Sequence, residues 1–366
     1  MRSKCNEFFL YSYLKRMLKL LLDLIDEKLY KLKKKLILHH IKKFILMLSR
    51  RHIRIKVLQA LYAYFQGDVG NPINGEKQLL KHFEKVYDLF IYQLSLLVEI
   101  RAFAEERMIE AKKKYYPTEE ELNPIEKFIR NPLLVQLAEN KDLEKKSAAL
   151  HINWKQEKEL VLKLYNQIRE ADTYKQYLAE KNSTYKIDKL VITKIFEEVL
   201  IPSEALQFYF EDLNLNWTDD YFLVAQLVLM TISSYKVSWN ENRALPTLFK
   251  DELDKYGGQD LIFARELFKK TIMHSDEFLE IIKPKIVNWE IDRVALMDLL
   301  ILKMALVELT EMPSIPVKVT MNEFIEISKY FSTPKSKIFI NGILDKLIVE
   351  LKASGKIKKT GRGLVE

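Results

Sequence analysis

The sequence predicts an all-α protein, and three observations carry that reading. No glycine occurs between Gly75 and Gly257, so connections across that stretch must use Asn, Asp, Ser and Pro in place of the commonest turn and helix-ending residue. Alternation of apolar and polar residues at period two is scarce. Apolar residues recur instead at helical spacing along most of the chain. At 366 residues and 48% hydrophobic content, the chain can bury a substantial core, as two domains or as one large helical body.

Each element has its own justification. Ser49 is placed to cap a first helix over about 49–65, in which Ile55, Leu58, Leu61, Tyr62 and Phe65 form an apolar stripe. Residues 67–75, with Asn71-Pro72 and Asn74-Gly75, read as a loop. Helices are expected over about 77–114, 133–146, 151–181, 185–200, 203–213 and 219–235, with Pro117, Asn123-Pro124 and Asn131-Pro132 breaking the region between the first two. Aromatic residues of this stretch, Tyr87, Phe90, Tyr92 and Trp217 among them, read as core. After Gly257-Gly258 come a helix beginning near Asp260, a short one from Ser275 to Lys283, and a strongly apolar one from Trp289 to Thr310. Ile291, Ala295, Leu299, Leu302, Leu306 and Leu309 mark one face of the last of these. Pro313 and Pro316 delimit a turn before a helix from Val317 to Tyr330. Thr333-Pro334 predicts the N-cap and first residue of a final helix over about 334–353. Residues 355–366, basic and carrying Gly361 and Gly363, should form a loose tail.

The formal charge of +8 suggests a polyanionic partner until it is located. Residues 1–46 hold 12 Lys/Arg against 4 Asp/Glu, leaving 47 of each for the rest. The body is therefore balanced, and any nucleic-acid site must be a local patch. The extension 1–46 reads as a basic amphipathic helix for an acidic or membrane surface, as a coiled appendage, or as sequence upstream of a native start at Met47; the last is favoured. Its most apolar run is interrupted by Lys15, Arg16, Lys19 and Asp23, which argues against a membrane span. The sole cysteine, Cys5, excludes a disulfide framework and fits a reducing compartment, here the cytoplasm. The six histidines lack metal-site spacing, and no nucleophile with an adjacent base is evident, so neither a metal, a cofactor nor an enzymatic activity is expected.

One string is far more specific than the rest. From Lys318 to Lys346, the residues Lys318, Val319, Asn322, Glu323, Glu326, Lys329, Phe331, Phe339, Asn341, Gly342, Leu344, Asp345 and Lys346 fall in register with a C-terminal signature. The string resembles that of the NusB family of transcription antitermination factors. The resemblance implies a helical bundle of two packed three-helix units, here divided by a large helical insertion. Residues 47–66 would be its first helix, 67–256 the insertion, 257–354 the main NusB-like domain and 355–366 a flexible tail. Within the insertion, residues 189–232 loosely echo 286–311, so a degenerate internal copy is conceivable.

The resemblance also supplies candidate residues. The cluster Arg50, Arg51, His52, Arg54 and Lys56 would be a solvated face in an arbitrary protein, but the family carries an RNA-contacting arginine-rich stretch there, matched by Arg50, Arg51 and Arg54. Base selectivity would need aromatic platforms, for which the family pattern offers Tyr62 and Phe339. Lys318, Lys335, Ser336, Lys337 and Asn341 complete the RNA-binding set, although Lys335 stands where the family often has an acidic or small residue. Asn322 or Asn341 reads as bonding backbone at helix ends, and Gly342 as permitting a close helix crossing or a close ligand. By resemblance the partners would be boxA-type single-stranded RNA, NusE (a ribosomal small-subunit protein) and the RNA polymerase antitermination complex, with no membrane and dimerisation left open. Two alternatives are a helical protein-interaction scaffold without RNA binding and an accessory domain of a ribosomal-RNA-modifying system. The second lacks support, since the glycine-rich domain and catalytic cysteines of such enzymes do not appear in this sequence.

Overall fold

The computed structural model describes residues 48–67, 71–249, 258–286, 294–333 and 335–364. The readings made for residues 1–46, for Trp289 and Ile291, and for Pro334 lie outside them. Among the described residues there is no strand, and they fall within a single compact unit.

The first helix, α1 (Arg50–Gln66), starts where the sequence places it, with Ser49 Oγ accepting from the His52 amide. The next begins earlier than expected. Asn71 and Pro72 are the N-cap and first residue of α2 (Pro72–Lys112), a helix of 41 residues and thus about 60 Å long. Asn-Pro reads equally well as turn or helix start. Gly75 then lies within the first turn of α2, where a Cβ would meet the Phe268 ring at 2.7 Å, so only glycine allows this approach. Tyr64 of α1 would lie 3.1 Å from the same Cβ, and Lys56 of α1 lies near His82 of α2. The two helices are therefore antiparallel, and α2 runs on beyond the N-terminus of α1.

Next in order come α3 (Glu119–Leu122), α4 (Pro132–Ala138), α5 (Lys141–Ala149), α6 (Lys158–Glu170), α7 (Asp172–Ala179), α8 (Tyr185–Ile195, continued by a π turn at Phe196–Leu200), α9 (Glu204–Leu213) and α10 (Trp217–Ser234). Asn131 caps α4, accepting from the Leu133 amide at 3.0 Å. The single helices expected over 133–146 and 151–181 are each broken, at Glu139-Asn140 and at Ala171, since polar caps such as Asn140 can stop a helix without glycine. Most of the aromatic residues read as core pack there: Phe90, Phe210, Trp217 and Tyr221 are buried and Tyr92 lies edge-on to the buried Trp154, but Phe222, also read as core, is 52% exposed.

The C-terminal part comprises α11 (Gly258–Met273), α12 (Ser275–Ile282), α13 (Leu296–Glu311), α14 (Val317–Phe331) and α15 (Ser336–Ala353). Helix α13 is the centre of the fold. Leu300, Ile301, Leu302, Met304, Ala305, Leu306 and Val307 are all fully buried, so it is covered all round and not on the one face its spacing suggests. Helices α1, α11, α12, α14 and α15 all pack on it. The final helix starts at Ser336, two residues later than its cap signal indicates. The tail is not loose as far as residue 364. Lys359 Nζ donates to the carbonyls of Glu308 and Met312 at 2.8 and 3.0 Å, the Thr360 amide donates to Pro313 O, and Gly363 lies against the same carbonyl. An ammonium at unpaired helix-end carbonyls is favourable, which is why a basic tail can fold back here.

Candidate nucleic-acid interface

The basic cluster of α1 divides into an inner and an outer set. Arg54 is 2% exposed and forms a two-pronged pair with Glu308 of α13, Nη2 to Oε2 at 2.9 Å. Thr320 of α14 donates to the same carboxylate at 3.1 Å. Lys56 is buried as well, paired with the buried Asp220 of α10. Neither can reach a phosphate from these positions, so Arg54 leaves the candidate set. The reason is geometric: two residues apart, Arg54 and Lys56 point to different sides of α1, and each side is covered, one by α13 and the other by α10. His52 is also inward, sharing a 2.8 Å hydrogen bond between Nδ1 and Ser49 Oγ. Burial, with the Arg51 charge beside it, lowers its pKa to about 4, so the ring is neutral near pH 7.

Arg50 and Arg51 form the outer set, with 41% and 40% of their side chains exposed. Arg50 pairs with Asp260 of α11 at 2.6 Å, and its guanidinium lies 4.4 Å from the centre of the Phe263 ring. Arg51 makes two 2.8 Å hydrogen bonds to Glu323 of α14, which holds its pKa above the usual arginine value. The carboxylates fix both guanidinium groups at one end of α1 while leaving outer N–H groups in solvent. Glu326 and the Tyr330 hydroxyl also act on the Arg51 charge, so the same face of α14 continues past Glu323 to Tyr330, 74% exposed. Tyr330 was not among the sequence candidates; its position one helical face along from Glu323 was the available signal.

Lys335, Ser336, Lys337, Phe339 and Asn341 gather at the other end of α13, where α15 begins beside Asp298. Ser336 is buried and its hydroxyl donates to Asp298 of α13 at 2.7 Å, so it is a structural contact and not a free donor for phosphate. Lys335 and Lys337 beside it are exposed, and Phe339 is partly buried against the core. Asn341 donates to the Asp345 carboxylate one turn on, at 3.1 Å, and does not bond backbone at a helix end; Asn322 is exposed. A Cβ on Gly342 would meet nothing within 4 Å, which removes the close helix crossing and leaves an open surface. Lys318 is exposed on α14, whereas Tyr62 is partly buried against the core. Asp298 and Glu308 mark the two groups, about 15 Å apart along one helix axis, and α14 spans the interval. Among the described residues no group of His, Cys, Asp and Glu could hold a metal ion, and no helix is long and apolar enough to cross a membrane.

Residues 223–349 match the NusB family model, a span running from α10 into α15. Over 103 residues the chain is 44% identical to the transcription antitermination protein NusB of Salinibacter ruber, covering 28% of this chain and 64% of that protein. It is 46% identical over 79 residues to NusB of Chloroherpeton thalassium, 22% of this chain and 37% of that protein. Over 101 residues it is 37% identical to NusB of Myxococcus xanthus, 28% of this chain and 72% of that protein. The chain belongs to the NusB family. It spans a little under two thirds of the first of these relatives and just over a third of the second. The family match begins at Leu223, within α10, and so does not reach α1 with its arginines.

Proposed function

We propose that the chain is a transcription antitermination factor that binds boxA-type single-stranded RNA of ribosomal RNA operons together with NusE, as part of an RNA polymerase antitermination complex in the cytoplasm. Its relation to proteins named for transcription antitermination carries this reading. In it, α1 is the family's first helix and the insertion is residues 67–222, since the family match begins at Leu223 and takes in the last part of the expected 67–256 insertion. Arg50 and Arg51 take phosphates, Lys318, Lys335 and Lys337 add charge, and Phe339 with Tyr330 offers ring faces to bases. Arg54, Lys56 and Ser336 hold the scaffold under that surface. The proposal includes no catalysis.

A second reading has one specific observation in its favour. Arg50, Arg51 and Arg54 are each paired with a carboxylate, as they would be in a helical interaction scaffold without RNA binding. An anisotropy titration separates the two. Tighter binding of boxA-type RNA than of a scrambled strand, and tighter still with NusE present, supports the antitermination reading; equal, weak binding of both strands in either condition supports the scaffold.

A further inference from the structure

The inserted helices build a cleft of about 760 Å³ at the far end of α2, bounded by α2, the short α3 and helices α6 and α7. Its floor is aromatic: Phe128 and Tyr174 are buried and meet edge to face at 5.3 Å. Arg169 and Lys175 stand exposed along one wall, and neither has a carboxylate within ion-pair distance among the described residues. The opposite rim is acidic, but Glu121 is engaged by Lys114 and by the Thr118 amide at 2.9 Å in a capping box.

The rim nearest α2 is unusual. Lys112, Lys113 and Lys114 are followed by Tyr115 and Tyr116, which are 88% and 85% exposed and touch only edge to face, with ring centres 4.6 Å apart. Rings so exposed add almost nothing to the core. Besides the exposed Ile125 in the cleft lining, they add flat ring faces on which bases can stack.

We propose that this cleft and its tyrosine rim form a second docking surface for single-stranded RNA, continuing the strand held at Arg50 and Arg51. Phosphates would follow the Arg169 and Lys175 wall, away from the acidic rim, while bases stack on Tyr115 and Tyr116. Because α1 and α2 are antiparallel, Arg50 lies beside the middle of α2 and the cleft about 35 Å further along the same helix. The inference rests on the RNA reading above for the neighbouring site only.

The test is fluorescence anisotropy on the full chain with two unstructured RNAs: a short one carrying the boxA-type element alone, and the same element flanked by uridine tracts. The extension should tighten binding. Tyr115→Ala with Tyr116→Ala, and separately Arg169→Ala with Lys175→Ala, should each weaken binding of the extended RNA about tenfold or more and leave the short RNA unchanged. These side chains are exposed, so the fold should survive, which circular dichroism checks. If the chain ignores the short RNA yet binds the extended one through the tyrosines, the second surface stands and the core site falls. If the extension adds nothing, or neither variant weakens it, the proposal is overturned; the cleft then belongs to a protein partner and the core site is untouched.

Discussion

Arg54 and Arg51 lie on one helix three residues apart and are held by carboxylates in the same way, yet burial gives them opposite consequences. Removing Arg54 would strand Glu308, which is fully buried. Arg54→Ala should therefore cost about 3 to 5 kcal/mol of stability, whereas Arg50→Ala or Arg51→Ala should cost about 1 kcal/mol or less, since their pairs are screened by solvent. Urea unfolding of the three variants checks the contrast, and equal costs would contradict the inner and outer division. His52 gives a pH signature. Its folded pKa, about 4, lies below the ordinary 6.5, so the unfolded chain takes up the proton first as pH falls. The contribution is fully present above pH 6.5 and is lost between there and pH 4, on the order of 2 to 3 kcal/mol. His52→Asn should lose less stability than the wild type between pH 7 and 4, and parallel losses would refute the assignment. Little of this was legible from the arginine cluster itself, because a run of charges does not announce which members face inward. The clearest signal was on the other side of the contact: Glu308, a carboxylate with Val307 and Leu309 on either side of it in a strongly apolar helix, has to find a cation.

At the scale of elements, the ion pair between Lys56 and Asp220 ties α1 to α10, the helix within which the family match begins. Both members are buried, one carboxylate oxygen of Asp220 has no partner, and burial raises the Asp220 pKa. Lys56→Met alone should cost about 3 to 5 kcal/mol, while Lys56→Met with Asp220→Leu should recover most of it, because a buried pair is costly to break and cheap to replace by apolar packing. A double variant no more stable than the single one would show that the pair is not what joins the helices. Helix existence was readable throughout, since apolar spacing repeats in every element. Ends were less readable: Asn71-Pro72 looked like a turn, and Asn140 and Ala171 divide helices that periodicity joins. The burial of α13 on all sides was hidden for a similar reason, as periodicity shows one apolar face but not how many neighbours will cover the rest. Gly342 of α15, with open space around it, offers a further check. Gly342→Ala should stabilise the helix by up to about 1 kcal/mol, and a simultaneous loss of RNA affinity would mean that a strand approaches the backbone there.

For the whole molecule, the tail as far as residue 364 and helices α3 to α10 are part of the folded body and not appendages to it. Lys359 closes the C-terminal end of α13, the same turn of helix whose Glu308 grips Arg54, and burial lowers its pKa to about 8. Lys359→Ala should cost about 1 to 3 kcal/mol, seen as a lowered melting temperature; an unchanged one would return the tail to a free end. The family signature between Lys318 and Lys346 made membership legible from sequence. The split of the surface did not follow from it, because partners such as Asp260 and Glu323 come from separate helices that only the fold brings to α1. The central claim is that the outer arginines, and not the inner ones, carry phosphate contact. Its most direct test is the salt dependence of boxA-type RNA binding by the wild type and by Arg50→Ala with Arg51→Ala. Losing two phosphate contacts to a single strand should weaken binding and flatten the slope of log K against log salt by about 1.4, with the fold intact. An unchanged affinity and slope in the folded double variant would contradict the account and place the RNA elsewhere.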